Sequence, residues 1–273
     1  MLGKLIGYEL LKKWKSSKYV LLGFVLIELT LLFIIRLFLW NEDVANGFNI
    51  TINSTAANSG SSSASPGPAF VLLTVLFFVL AFFIGAYPFM ESIYRFERDL
   101  SGKQAYLELM LPVAAWKKVI SKLIATVAGL IVCGTLSLLA MFTYLMVNSN
   151  FEYFIDIFKF LIDGLMKDGL SMILMIISML FSFALFYLLI FFCITIAKSF
   201  THKNVIAVPI GIIAFVIITS LMAFVELKVS NVPLYTYTIF QAEFTLSTIL
   251  LNIVLFITAL AGTGWLMEKR IEH

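Results

Sequence analysis

The sequence predicts an all-α integral membrane protein with six transmembrane helices, and three features predict it. The chain is 61% hydrophobic and 13% charged, where ordinary soluble domains carry about 45–50% apolar and about 25% charged residues. Its mean hydropathy is +1.02 and it holds 27 Phe, so most of its surface has no use for water. The apolar residues are also gathered into six long runs. A hydrocarbon core about 30 Å thick needs about 20 such residues per helix, whereas a barrel strand needs about 10. Long runs in a medium without water must bond their own backbone, which selects helices.

The runs extend from about Tyr19 to Trp40, Ala69 to Met90, Leu123 to Val147, Leu170 to Ala197, Val205 to Val225 and Thr248 to Met267. They form one transmembrane domain over residues 1–273. The first is expected to remain as a signal anchor. It is longer than the apolar core of a cleaved signal, and no small-residue cleavage site follows it.

Lys and Arg set orientation. With the N-terminus in the cytoplasm, the segments Met1–Lys18, Glu91–Lys122, Lys198–Asn204 and Glu268–His273 hold 15 of the 19 basic residues. The outer segments hold three, Lys159, Lys167 and Lys228, and Arg36 lies in the first span. Both termini are therefore expected inside a cell (plasma) membrane crossed many times. Trp14, Trp40 and Trp265 fall at or near span ends, where amphipathic rings sit.

Between the spans, Met1–Lys18 reads as a helix on the inner surface, with Leu2, Ile6, Leu10 and Trp14 at every fourth position. Lys13 lies close to that stripe, and a plain basic flank is the equal alternative. Residues 41–68 are rich in Ser, Asn, Ala and Gly and predict an extracellular loop. In Phe151–Asp168 the charges Glu152, Asp156, Lys159, Asp163 and Lys167 form one narrow stripe, which suits a helix on the outer surface. The alternative is an extension of the third span. Glu226–Ser247 is expected to be non-helical in part, under a cover of protein.

Little in the chain invites catalysis. His202 and His273 both lie outside the spans, and Cys133 and Cys193 lie inside them without partner spacing. Intramembrane His-based metal sites and Ser–His dyads are thereby excluded, and no metal, cofactor or nucleic-acid partner is expected. Gly102-Lys103 is no phosphate loop, because Glu97 stands where a Gly is needed and Gln104 where a Ser or Thr is needed. Charge inside the spans is confined to Glu28 and Arg36. Arg36 is near enough to the outer end to snorkel to headgroups. Glu28 is deeper, so it faces the bundle interior, pairs, or is protonated; it is the best intramembrane polar candidate. Pro88, Pro209 and Gly211 are candidate hinges.

The charged segment Tyr94–Lys122 is the remaining feature, within a cytoplasmic loop over 91–122. It reads as two helical pieces broken at Pro112, with Leu100, Leu107, Leu109 and Leu111 offering an apolar surface. Glu97, Arg98, Asp99, Lys103 and Glu108 are expected to stay wet. A short amphipathic helix below the membrane suits a groove on a soluble partner.

Here the sequence resembles the permease subunits of ABC-2 type transporters. Their cytoplasmic loop after the second span commonly reads E-R-E-x-G…L-E-x-L-x-x-x-P-V…K-L. The matching residues are Glu97, Arg98, Gly102, Leu107, Leu109, Pro112, Val113, Lys122 and Leu123. The family's six-span layout, with both ends inside and a surface helix before the first span, extends over the whole chain. The chain differs in its long uncharged outer loop and a shorter spacer before Pro112. The resemblance implies a permease paired as homodimer or heterodimer over two separate ATP-binding subunits. It implies that Glu97, Arg98, Asp99, Gly102, Lys103, Tyr106, Leu107, Leu109 and Pro112 couple to the ATPase. It further implies export through the dimer interface, and the Phe-rich spans suit an apolar or amphipathic peptide or antibiotic. ATP hydrolysis then belongs to the partner, and this chain is not itself an enzyme. The competing class is a self-contained secondary carrier coupled to an ion through Glu28. An intramembrane protease lacks the His and the second acidic residue it needs.

Overall fold

Nothing in Leu2–Trp40 breaks a helix. It contains no Pro, and its three Gly cost about 1 kcal/mol each against Ala. A computed structural model describes residues 2–40, 68–101, 113–148, 154–201, 204–230, 236–239 and 242–271. Six long helices dominate them. They are α1 (Leu2–Trp40), α2 (Pro68–Ser101), α3 (Ala115–Asn148), α4 (Phe154–Phe200), α5 (Asn204–Ser230) and α6 (Leu246–Leu266). All six are long and apolar enough to cross a membrane. A two-stranded antiparallel hairpin, β1 (Thr236–Ile239) and β2 (Ala242–Thr245), precedes α6, and a π-helical turn, Met267–Ile271, follows it.

The helices run past the apolar stretches that define them. At about 1.5 Å per residue, the 39 residues of α1 reach about 58 Å and the 47 of α4 about 70 Å. A separate inner-surface helix is not what is found, since α1 continues unbroken through Lys18-Tyr19. The expected outer-surface helix is corrected likewise. From Phe154 onward it is the first part of α4, joined to the fourth span rather than the third. Gly164 and Gly169 are tolerated inside it, and no Pro intervenes. The hairpin, too, departs from an all-α expectation, and it falls in the stretch expected to leave helical geometry.

Several hydroxyls within the apolar helices donate to carbonyls of their own helix. Thr195 Oγ1 donates to the Phe191 carbonyl at 2.7 Å and Thr263 Oγ1 to that of Ala259 at 2.7 Å. Such back-bonding lets polar side chains reside where no water can serve them. Many large apolar side chains point outward, Phe82 at 73% exposure among them. No residue in the most apolar stretch of α5 is buried. Such faces belong against hydrocarbon.

The chain divides into two compact units, with boundaries after Lys13 in α1, Tyr87 in α2, Gly129 in α3 and Phe160 in α4. One unit comprises Trp14–Tyr87 and Leu130–Phe160. Its core joins Leu31, Leu32 and Ile35 of α1 to Phe70 and Phe77 of α2 and Ala140 and Tyr144 of α3. The Phe77 and Tyr144 rings stack with centroids 5.2 Å apart. The other unit comprises Met1–Lys13, Pro88–Gly129 and Leu161–His273. There α2 packs on α4 through two aromatic pairs, Phe89 on Phe186 at 5.9 Å and Phe96 on Phe191 at 4.1 Å.

Candidate functional site

The second unit carries a knot of charge at the end of α2. Asp99, on the last turn of that helix, is 5% exposed, and it pairs with Lys12 at 3.3 Å and with Lys122 of α3. Lys122 also lies 3.7 Å from Glu9. One helical turn earlier, Arg95 donates to the Glu91 carboxylate at 2.6 Å, and its second contact is the Lys13 carbonyl at 3.5 Å. Lys13 itself is buried, donating to Ser92 Oγ at 2.9 Å, and Ser92 Oγ donates to the Pro88 carbonyl at 2.7 Å. Charges withdrawn from water cost several kcal/mol each unless paired and hydrogen-bonded. Three helix ends supply those partners here.

Gly129 explains how Lys13 fits. A Cβ on Gly129 would lie 2.5 Å from Lys13 Nζ, inside contact distance. The lysine that interrupts the apolar stripe of the N-terminal segment is therefore an interior group. Its ammonium occupies room left by a missing side chain.

A second fastening lies just beyond residues 102–112. Glu268, in the π-helical turn after α6, accepts a hydrogen bond from the Ala115 backbone N–H at 3.2 Å. This satisfies one of the four unpaired N–H groups at the start of α3 and sets a carboxylate against the positive end of its dipole. Close by, a Cβ on Gly264 would lie 3.4 Å from the Trp116 backbone. The chain is thus held on both sides of 102–112, by α1 and α3 upstream and by α6 downstream.

The predicted site residues divide accordingly. Gly102, Lys103, Tyr106, Leu107, Leu109 and Pro112 lie outside the described residues, as do Leu111, Glu108 and most of the loop 41–68. Arg98 is exposed, as expected. Glu97 is 28% exposed and lies 3.5 Å from Lys198 of α4. The expectation that Asp99 stays wet is wrong, because two lysines from other helices enclose it. Leu100, expected on a docking surface, is 8% exposed and belongs to the core. Of the hinge candidates, Pro88 and Pro209 sit inside helices that continue through them. At Gly211 a Cβ would lie 3.6 Å from that of Ala197, so α5 comes close to α4 at that level.

In the other unit, Glu28 is 5% exposed. It shares a seven-residue stripe with Leu21 and Ile35, both buried, and its Oε1 is enclosed with no hydrogen-bond partner. Arg36 has a protein partner as well. Its guanidinium donates to the Val147 carbonyl at 3.3 Å, on the last turn of α3, where a cation suits the helix dipole.

The two cysteines are buried and not joined in a disulfide. Among the described residues, no group of three or more His, Cys, Asp or Glu is placed to hold a metal ion. Of the pairs just described, the Glu91–Arg95 spacing of four was legible in the sequence. The long-range partners Lys12–Asp99, Lys13–Ser92 and Ala115–Glu268 were not. Comparison with family models, curated proteins and solved structures finds no match to this chain.

Proposed function

We propose that this multi-pass protein is the membrane-spanning permease subunit of an ATP-driven exporter of the ABC-2 type, with both termini in the cytoplasm. In this reading it pairs with a second permease copy, identical or related. Separate ATPase subunits receive residues 94–122 in a cleft. Closure of the ATPase pushes on that segment, and the push enters the helices it is fastened to. An apolar or amphipathic cargo of peptide or antibiotic type leaves outward.

One observation carries the reading. Residues 102–112 are flanked by Asp99, tied to α1 and α3, and by Ala115, tied to the turn that follows α6. A loop meant only to connect two spans has no need of anchors on two further elements, α1 and the turn after α6. A loop that transmits force does, because a compliant attachment would absorb the displacement. Copurification with candidate ATPase subunits tests it. Stable association is expected, and it is expected to be lost when Leu107 and Leu109 both become Asp. Association that survives both changes contradicts the reading.

Glu28 favours a second reading, a secondary carrier driven by an ion. A buried carboxylate with an unpartnered oxygen in a membrane helix is the kind of group such carriers use. Proton- and sodium-coupled carriers usually show a ladder of acidic residues. Here Glu28 is the single acidic residue of the six predicted spans.

A further inference from the structure

A cleft of about 360 Å³ lies within the second unit, walled by Phe89 and Ile93 of α2, Phe186 and Ile190 of α4, and Val208 and Ile212 of α5. Its lining is apolar except at one end, where Glu97 and Lys198 meet. From Phe186 to Lys198 it follows twelve positions of α4, or about 18 Å. That is close to one leaflet, half of a hydrocarbon core about 30 Å thick. Val208 and Ile212 on its rim are 51% and 59% exposed, on a helix with no buried residue in its most apolar stretch. In a chain that crosses a membrane, such an apolar rim belongs against lipid.

The two charges at the closed end are unequal in access. Lys198 is 3% exposed and Glu97 is 28% exposed. The polar group that an incoming molecule meets is therefore a carboxylate, which accepts hydrogen bonds and attracts a cation. A charge-assisted hydrogen bond from an ammonium to that carboxylate is stronger than a neutral one.

The geometry points to a phospholipid site: one acyl chain of a bilayer lipid lies in the cleft, and its ammonium-bearing headgroup sits on Glu97. Phosphatidylethanolamine fits this chemistry. Phosphatidylglycerol brings no cation for that carboxylate. The inference uses neither residues 102–112 nor any partner protein; Glu97 also lies in the segment 94–122 of the permease reading, and lipid retention by the chain alone tests its part here without the ATPase.

Native mass spectrometry of the full chain in detergent tests it, with equimolar phosphatidylethanolamine and phosphatidylglycerol added. One retained phospholipid is expected, with the ethanolamine lipid preferred about tenfold, the worth of one charge-assisted hydrogen bond. Glu97→Gln should abolish the preference while a lipid is still retained. Val208→Trp and Ile212→Trp enter the cleft from its exposed rim. Each should lower retention of both lipids with helical content and elution volume unchanged. Equal retention of the two lipids by the unaltered chain overturns the proposal. So does full retention in both tryptophan variants, or occupancy by detergent alone. Should one tryptophan variant fail to fold, the other and the Glu97→Gln ratio still decide.

Discussion

Asp99 and Lys122 are ion-paired across the stretch that joins α2 to α3, and Lys12 closes on the same carboxylate from α1 at 3.3 Å. A 5%-exposed carboxylate between two ammonium groups is held by charges that have little water to fall back on. The arrangement makes the end of α2 a junction of three helices.

Replacing Asp99 by Asn should therefore cost about 3 kcal/mol, the lower range for breaking a buried pair from one side. Lys12→Gln, at a site 20% exposed, should cost less than half of that. Thermal unfolding in a fixed detergent checks the order. Equal and small losses for both would mean that the pair is solvated.

Lys13 and Gly129 should behave as one unit. Gly129→Ala places a methyl group 2.5 Å from Lys13 Nζ and should destabilise the protein. In a Lys13→Ala background the same change should cost little, because the space is then open. A double-mutant cycle in thermal stability is expected to give a coupling of about 1 kcal/mol or more. Strict additivity would separate the two residues.

Glu28→Gln distinguishes the two functional readings. An ATP-driven exporter should retain most of its transport, because the amide keeps the shape and removes only the charge. A carrier should lose its dependence on the ion gradient. The readout is efflux from cells with the gradient collapsed and with it intact.

Sidedness follows from the distribution of Lys and Arg. A Tyr106→Cys variant, made with Cys133 and Cys193 replaced by Ala, should react with a membrane-impermeant maleimide only after the cells are permeabilised. Both native thiols are buried, so their replacement removes background without touching the loop. Labelling in intact cells would put the segment on the outer face.

The sequence resolved what depends on runs and failed on what depends on partners. Six spans were legible because hydrophobic length alone defines them. The inward direction of Glu28 was also available from its seven-residue spacing to Leu21 and Ile35. The continuity of α1 and α4 was obscured, because charge patterning marks where a helix meets water and says nothing about whether the backbone breaks there. Asp99 and Leu100 were misread for a different reason. On their own helix they resemble exposed neighbours, and only Lys12 and Lys122, 87 and 23 residues away, enclose the carboxylate.

If force enters through residues 94–122 from a separate ATPase, as proposed, the coupling is reciprocal in binding. ATP turnover by the partner ATPase, measured alone and with this chain in lipid nanodiscs, tests it without knowledge of the cargo. The account predicts that the unaltered chain changes the turnover and that the Leu107→Asp, Leu109→Asp chain leaves it at the value of the ATPase alone. A turnover indifferent to the unaltered chain, or equally affected by both, would contradict it.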